Sequence, residues 1–534
     1  MNSNEIKRRK IQGAANIISL VNILIVGGMA GDNGITYLAV AVLAFSFLWA
    51  LYSGYAADTL GKLLRVRNVK GQYKSAARLR RNIMIFQLAV GMAGMAVLFF
   101  GAEFIAGKLF HVQYSGYVIM LLAPAIFLRG VSSVFMGFCQ GESSELPTAV
   151  ASVLRQVFIL IFSQIFCRSL GSYGAKVGRL LVQADFASMH TVAGFCIAVD
   201  VSEIFVILLL MVLRKVGRHS RRREQPEGMR SSDSFLNAVQ SFSVNRAPYF
   251  AMQLLLLLPV ISGFLFFEKS VSDWNAGMLD YGAYFGKYLV ITVLLIMMTS
   301  GIFIQISGRT VTALRKGEQR FARVVFQSGV HIGVIHSLFL AVFLAVMAEQ
   351  AANLLDAGNS VAVAKMLRGG ALMIPFAVLA FYFIRFLMLT GKNLLILGAL
   401  VISDIVYVLS MTLFLNVWKA GILALVYAGI MGSAVCCVLL GVITCRQLRV
   451  GNLWLQIFVI PAGAICITGL LCILLSRLIS PHLGDVVTLI VCGVLSAVIY
   501  WGLLLFSRSL SEQELENIPG GKWVISFGQM LHLL

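Results

Sequence analysis

Residues 70–101 read KGQYKSAARLRRNIMIFQLAVGMAGMAVLFFG. The stretch opens on five cations, Lys70, Lys74, Arg78, Arg80 and Arg81, and from Asn82 onward holds no ionisable side chain. Those last twenty residues, coiled as a helix rising about 1.5 Å per residue, reach about 30 Å, the thickness of a bilayer's hydrocarbon core. Lipid offers no partner to an open backbone group, so such a run crosses as a helix. It does not alternate in polarity, which excludes a strand of a membrane barrel.

The same alternation of cationic clump and apolar run fills the chain. Of 534 residues 59% are hydrophobic and 12% charged, with mean hydropathy +0.88; a soluble domain carries about 25% charged residues. Apolar runs place spans at 11–30, 35–57, 82–101, 118–138, 149–167, 186–213, 239–267, 283–306, 324–348, 369–390, 394–415, 421–443, 453–475 and 486–506. The expectation is an all-α polytopic membrane protein with about fourteen spans. Residues 11–29 follow Lys7-Arg8-Arg9-Lys10 and imitate a signal peptide. The run is too long for one and more spans follow, so an uncleaved first helix is expected.

The net charge is +20. In a soluble chain this would suggest nucleic acid; here the cations sit in short connections. Segments on one side of the expected spans hold 29 of the 43 Lys and Arg, and those on the other side 9. The positive-inside rule then puts both termini in the cytoplasm of a cell membrane, with nucleic acid excluded as a partner. Inner clusters such as Arg78-Leu79-Arg80-Arg81 and Arg221-Arg222-Arg223 are expected against anionic lipid. Nine cysteines, mostly within apolar runs and with no CxxC pair, read as small buried residues rather than disulfides or metal ligands.

The chain repeats itself. The connection after span two reads Lys70-Gly71-Gln72-Tyr73-Lys74-Ser75-Ala76, and the one after span eight reads Lys316-Gly317-Glu318-Gln319-Arg320-Phe321-Ala322. Spans four and ten carry Pro124 and Pro375; Ala193-Gly194 and Ala420-Gly421 mark spans six and twelve. Six spans thus map onto the next six in the same orientation. A parallel repeat of this kind marks transporters that hold substrate between their halves. The expected division is an N-lobe 1–220, a basic linker 221–240, a C-lobe 241–445, an appended pair of spans 446–507 and a cytoplasmic tail 508–534. The tail opens Ser511-Glu512-Gln513-Glu514, a capping-box pattern for a short helix.

No P-loop, GxSxG, HExxH or metal-ligand spacing occurs, and His331 and His336 are five apart, off a common helix face. The connections on the outer side are short, with no room for a catalytic domain. No cofactor, no metal and no enzymatic activity are expected. What remains are charges inside spans: Arg129, Arg155, Arg246, Lys287 and Arg385 against Asp200, Glu203 and Asp404. Each costs about 2.5–3.5 kcal/mol or more at the bilayer centre, so each faces protein or a watery cavity. Two readings stand. The cations bind an anionic head group such as a phosphate or pyrophosphate through forked hydrogen bonds, or they pair internally with the acids. Asp200 and Glu203, three apart on one helix face, and Asp404 are candidates for gating, for coupling to Na⁺ or H⁺, or for salt bridges. Arg246 and Lys287 lie near span ends, where snorkelling is the alternative.

Four stretches resemble the multidrug/oligosaccharidyl-lipid/polysaccharide exporter superfamily, in the branch of stage V sporulation protein B-like flippases. They are Gly71-Gln72-Tyr73-Lys74-Ser75-Ala76-Ala77-Arg78; Pro124-Ala125 through Phe135-Met136-Gly137-Phe138-Cys139-Gln140-Gly141 to Pro147-Thr148-Ala149; Tyr281-Gly282-Ala283-Tyr284-Phe285-Gly286-Lys287; and Leu515-Glu516-Asn517-Ile518-Pro519-Gly520-Gly521-Lys522. The resemblance implies two six-helix lobes, two extra helices forming a groove for a lipid tail, and alternating access. It implies export of lipid-linked oligosaccharide, polysaccharide or peptidoglycan precursors, with membrane lipids and envelope-synthesis enzymes as partners. Two departures stand out: span one has no cation, where relatives of the lipid II flippase type carry arginines, and Gln305-Ile306-Ser307 replaces the branch's V-P-x-[IL]-S. The rival functions are a cation-coupled small-molecule or multidrug exporter of the same fold, a membrane glycan polymerase or ligase, and an envelope-assembly scaffold.

Overall fold

The computed structural model describes residues 3–142, 146–183, 185–219, 234–355, 359–449, 455–480, 484–507 and 509. Among these every regular element is helical. The Arg221–Arg223 triplet and the tail pattern at 511–522 lie outside the described residues.

The chain forms two compact units, Met1–Glu268 with Ser272–Gly286, and Lys269–Val271 with Lys287–Leu534. The first is built from α1 (Ser3–Tyr52), α2 (Ala56–Val69), α3 (Tyr73–Phe104), α4 (Ser115–Gly141), α5 (Leu146–Leu181), α6 (Asp185–His219), α7 (Phe235–Ser270) and α8 (Trp274–Ala283). The second holds α9 (Val290–Arg315), α10 (Gln319–Val346), α11 (Ala348–Leu355), α12 (Ser360–Gly370) and α13 (Met373–Leu389). It continues through α14 (Asn393–Asn416), α15 (Leu423–Leu448), α16 (Ile460–Ile479) and α17 (Asp485–Phe506). Compactness groups α7 with the first unit, whereas the division by repeat assigns it to the second lobe; the two criteria measure different things.

Twelve helices among the described residues are long and apolar enough to cross a membrane, thirteen if α12 and α13, bent by 50°, form one span. The first of these, Gly13–Val69, has 57 residues, about 85 Å of helix where about 30 Å suffices. It contains both expected spans one and two. No loop separates them. The chain turns at Gly31 alone, with φ 70 and ψ 176, a backbone region open only to glycine.

Span two ends at Tyr52, and after a break at Tyr55, φ 57, the chain continues as α2. This helix is amphipathic. Ala56, Leu60 and Leu64 are buried with Val134 and Phe138 of α4, and Lys62 and Arg65 are exposed. Gly137 and Gly141 make the close approach work, since a Cβ on Gly141 would stand 2.5 Å from the Leu64 Cβ. Arg65 and Asn68 donate to the Gln140 and Gly141 carbonyls at 3.4 and 2.9 Å, serving the open C-terminus of α4.

The α5–α6 hairpin is longer than the expected spans, with α5 running on to Leu181. Glycines seam it: Gly171 meets Thr191, Gly174 meets His190, and Gly194 meets the Phe166 backbone. Small residues at such seams let backbones pack closely in lipid. A Cβ on Gly194 would fall 2.5 Å from the Phe166 carbonyl oxygen, and backbone cannot step aside. We expect Gly194→Val to cost about 1–3 kcal/mol or more, read as a lowered thermal midpoint of the purified protein.

The repeat seen in sequence recurs as geometry. At the α2–α3 turn Gly71 has φ 72, and at the α9–α10 turn Gly317 has φ 81. Gly71 N–H bonds Asn68 C=O and Gln72 N–H bonds Arg67 C=O; likewise Gly317 bonds Leu314 and Glu318 bonds Ala313. Both are Schellman closures with a left-handed glycine. Ala76 and Ala322, which end the two motifs, are each 0% exposed. The last two helices pack on α10: Ile335, Ala464, Ile465, Tyr500 and Leu504 form one buried cluster, and the Tyr500 hydroxyl donates to the Ile335 carbonyl at 3.3 Å.

Candidate functional site

The charges of the first unit converge. Arg129 and Ser132 stand one turn apart on α4, Arg155 on α5 and Glu203 on α6. Glu203 is fully buried. Its Oε1 lies 2.8 Å from Arg155 Nε and 3.3 Å from Arg129 Nε. Its Oε2 accepts from the Ser132 hydroxyl at 3.0 Å, and that hydroxyl accepts from Arg155 Nη2 at 3.0 Å. One carboxylate therefore serves two guanidiniums, and the cluster keeps one net positive charge. The two arginines are not equivalent. The Arg155 side chain is 11% exposed and that of Arg129 30%. Arg129 lies over the rings of Phe45 and Trp49 at 5.7 and 5.6 Å, a cation–π seat on two stacked aromatics of α1.

Arg246 has another partner. From α7 its Nη2 donates to the Leu51 carbonyl at 2.6 Å, and its Nη1 donates to the Tyr52 carbonyl. Gln87 on α3 donates to the same Tyr52 carbonyl at 3.2 Å. These are the open carbonyls at the C-terminal end of α1, where a cation is favoured by the helix dipole. Arg246 is thus a buried clamp on the end of span two, rather than a snorkelling side chain. Tyr52 completes the corner: its hydroxyl donates to the Ile126 carbonyl of α4, against Gly130. Hence Arg246 reaches the Arg129 turn through Tyr52. Arg246→Ala is expected to lower stability by about 2–3 kcal/mol through lost charge-assisted bonds. A thermal midpoint unchanged from wild type would remove the clamp.

In the second unit Arg385 on α13 donates through Nε to Ser307 of α9 at 3.2 Å. Lys287 is buried in a π-helical turn, Tyr284–Leu289, just before α9; such turns recur at functional sites. Asp404 is on α14. The carboxylates of Asp404 and Asp200 each bury one oxygen that has no hydrogen-bond partner. Asp200 stands one turn before Glu203 on α6. The structure therefore gathers Arg129, Arg155, Arg246, Asp200 and Glu203 into one unit, and sets Lys287, Arg385 and Asp404 on three separate elements of the other.

A search for charges alone passes over Asn22 and Gln156. Asn22 is 1% exposed in the middle of span one, and its Nδ2 donates to the Gln156 carbonyl of α5 at 3.1 Å, next to Arg155. The cation-free first span therefore still carries a polar contact to the Arg155 level. Tyr52, Ser132 and the Phe45–Trp49 seat are equally silent in sequence. Among the described residues no group of His, Cys, Asp and Glu is arranged to hold a metal ion.

No family model matches the chain. It is 22% identical to stage V sporulation protein B of Bacillus subtilis over 531 residues, 94% of each chain. It is 28% identical to lipid II flippase MurJ of the same organism over 124 residues, 22% of this chain and 23% of that one. Its fold matches the inward-facing structure of a multidrug resistance MATE family transporter of the MOP superfamily. That match has TM-score 0.64 and 14% identity, and covers 82% of this chain and 94% of the other. Likeness along nearly the whole of one relative, with the shared fold, supports placing the chain with the multidrug/oligosaccharidyl-lipid/polysaccharide exporters, beside stage V sporulation protein B, and with its apolar spans makes it a multi-pass protein of the cell membrane.

Proposed function

We propose that this transporter is a flippase for a lipid whose head group is a phosphate or pyrophosphate joined to saccharide. One observation carries the reading: inside the spans, two guanidiniums share a single buried carboxylate, and Arg129 is the more exposed of the two. Such a charge is costly in a membrane unless it faces water or serves an anion. A guanidinium offers a phosphate paired, charge-assisted donors, and the Phe45–Trp49 seat fixes its plane. In this scheme Arg129 is the binding arm, and Arg155, Ser132 and Arg246 hold the frame around it. Arg385 and Lys287 are further phosphate donors. The name of the partial relative, lipid II flippase, supports a lipid-linked substrate. Asp200 and Asp404, each with an unbonded buried oxygen, would take the coupling Na⁺ or H⁺. Both termini face the cytoplasm, and the six-plus-six lobes work by alternating access.

The test is transfer between leaflets. The purified chain in proteoliposomes should move a fluorescent polyprenyl-pyrophosphate saccharide, and should leave cationic drugs unmoved under the same Na⁺ or H⁺ gradient. Movement of the drugs without the lipid would make the chain a small-molecule exporter instead.

A further inference from the structure

The α2–α3 turn has a face that the transport reading does not use. Lys62, Arg65, Lys70, Lys74, Arg78 and Arg81 are exposed on it, while the opposite face of the hairpin is buried through Leu60, Leu64, Ala76 and Leu79. Two other cations of the hairpin turn toward protein: Arg80 pairs with Glu142 at 2.5 Å, and Arg67 donates to Ser75 at 3.1 Å. The outward cations are interleaved with bare apolar side chains, Val66, Val69 and Tyr73, of which Val69 is 83% exposed. In the first two turns of the hairpin face, Asp58 is the one exposed acid.

The second unit repeats the device on the same Schellman turn. Arg315, Lys316 and Arg320 are exposed beside Phe321 and Val324, both more than half exposed. Cations alone would be satisfied by water. Apolar side chains alone would be a fault on a wet surface. Together they match the boundary where phosphate groups meet acyl chains, with cations on the phosphates and apolar tips in the glycerol layer. Stem burial by Lys and Arg adds to this fit.

We infer that the α2–α3 turn and, separately, its counterpart at α9–α10 are docking surfaces for anionic phospholipid head groups, each of the leaflet it faces. The occupant is a bulk lipid such as phosphatidylglycerol, distinct from the transported molecule. Each outward cation strengthens retention about fivefold, so three account for about a hundredfold. The attraction is screened by salt.

The experiment uses the full chain in detergent, titrated with phosphatidylglycerol or with phosphatidylcholine of the same acyl chains, and read by native mass spectrometry. Phosphatidylglycerol should be held more tightly. Lys70→Gln/Lys74→Gln/Arg81→Gln, at side chains outside the ion pairs above, should weaken it about a hundredfold. The control Arg168→Gln/Lys176→Gln/Arg179→Gln removes as many exposed cations from α5 and should leave retention unchanged. If the first variant does not purify as a monodisperse protein, a salt series on the wild type decides: higher salt must release phosphatidylglycerol and spare phosphatidylcholine. The inference is overturned by equal retention of the two lipids, by an equal loss in the control, or by salt-independent binding. It also falls if inorganic pyrophosphate displaces the lipid at equal concentration, which would make the turn a free-phosphate site.

Discussion

Arg129→Ala will lower lipid transfer at least about a hundredfold while leaving a folded protein in the membrane. Two charge-assisted bonds to a phosphate are worth about 1.5–3 kcal/mol each, which sets the size of the loss. The fold survives because of the count of charges. With Arg129 gone, Glu203 and Arg155 remain as a one-to-one pair with Ser132 bridging them, so no buried ion is left alone. Transfer in proteoliposomes and the thermal midpoint should therefore separate. A midpoint that falls along with activity would make Arg129 a structural residue, and full activity would remove it from the site.

Glu203→Ala should do the reverse of this, striking the fold first. It strands two guanidiniums in the interior, and removing one partner from a buried pair costs about 3–5 kcal/mol. That is a large share of a stability usually near 5–15 kcal/mol. Little folded protein should be recovered. The double variant Arg155→Met/Glu203→Met should regain much of the loss, because apolar side chains can replace a buried pair with little penalty. Arg129 then stays charged at a half-open position. Yield and midpoint of the three proteins in detergent form the check; an Ala variant as stable as wild type would mean that the carboxylate holds nothing together.

The spans were legible because an apolar run of twenty residues has one solution in lipid. Their edges were harder. Residues 31–34 read as a loop, yet one glycine torsion makes the whole turn, and torsions leave little trace in composition. α2 reads as a charged connection because its cations dominate; its Leu60–Leu64 spacing is the helical signal beneath them. Within the site, residue type showed which side chains are expensive to bury, so Arg129, Arg155 and Glu203 stand out from sequence. It did not show that the two arginines share one acid, since nothing in the chain order joins α4, α5 and α6. The partner of Arg246 is a pair of backbone carbonyls, which every residue possesses and no sequence marks.

Gly31 has a mechanical consequence for span one. A Cβ there would meet no atom within 4 Å, so nothing crowds the joint, and the glycine is required by torsion alone. The apolar part of the helix on its N-terminal side, Gly13 to Ala30, is a rod of about 27 Å joined to span two at this swivel. A 20° rotation at that swivel sweeps the free end through about 9 Å, roughly the spacing of two packed helices. Span one can thus act as a door leaf that Asn22, through its hydrogen bond to the Gln156 carbonyl, ties to α5 near its middle.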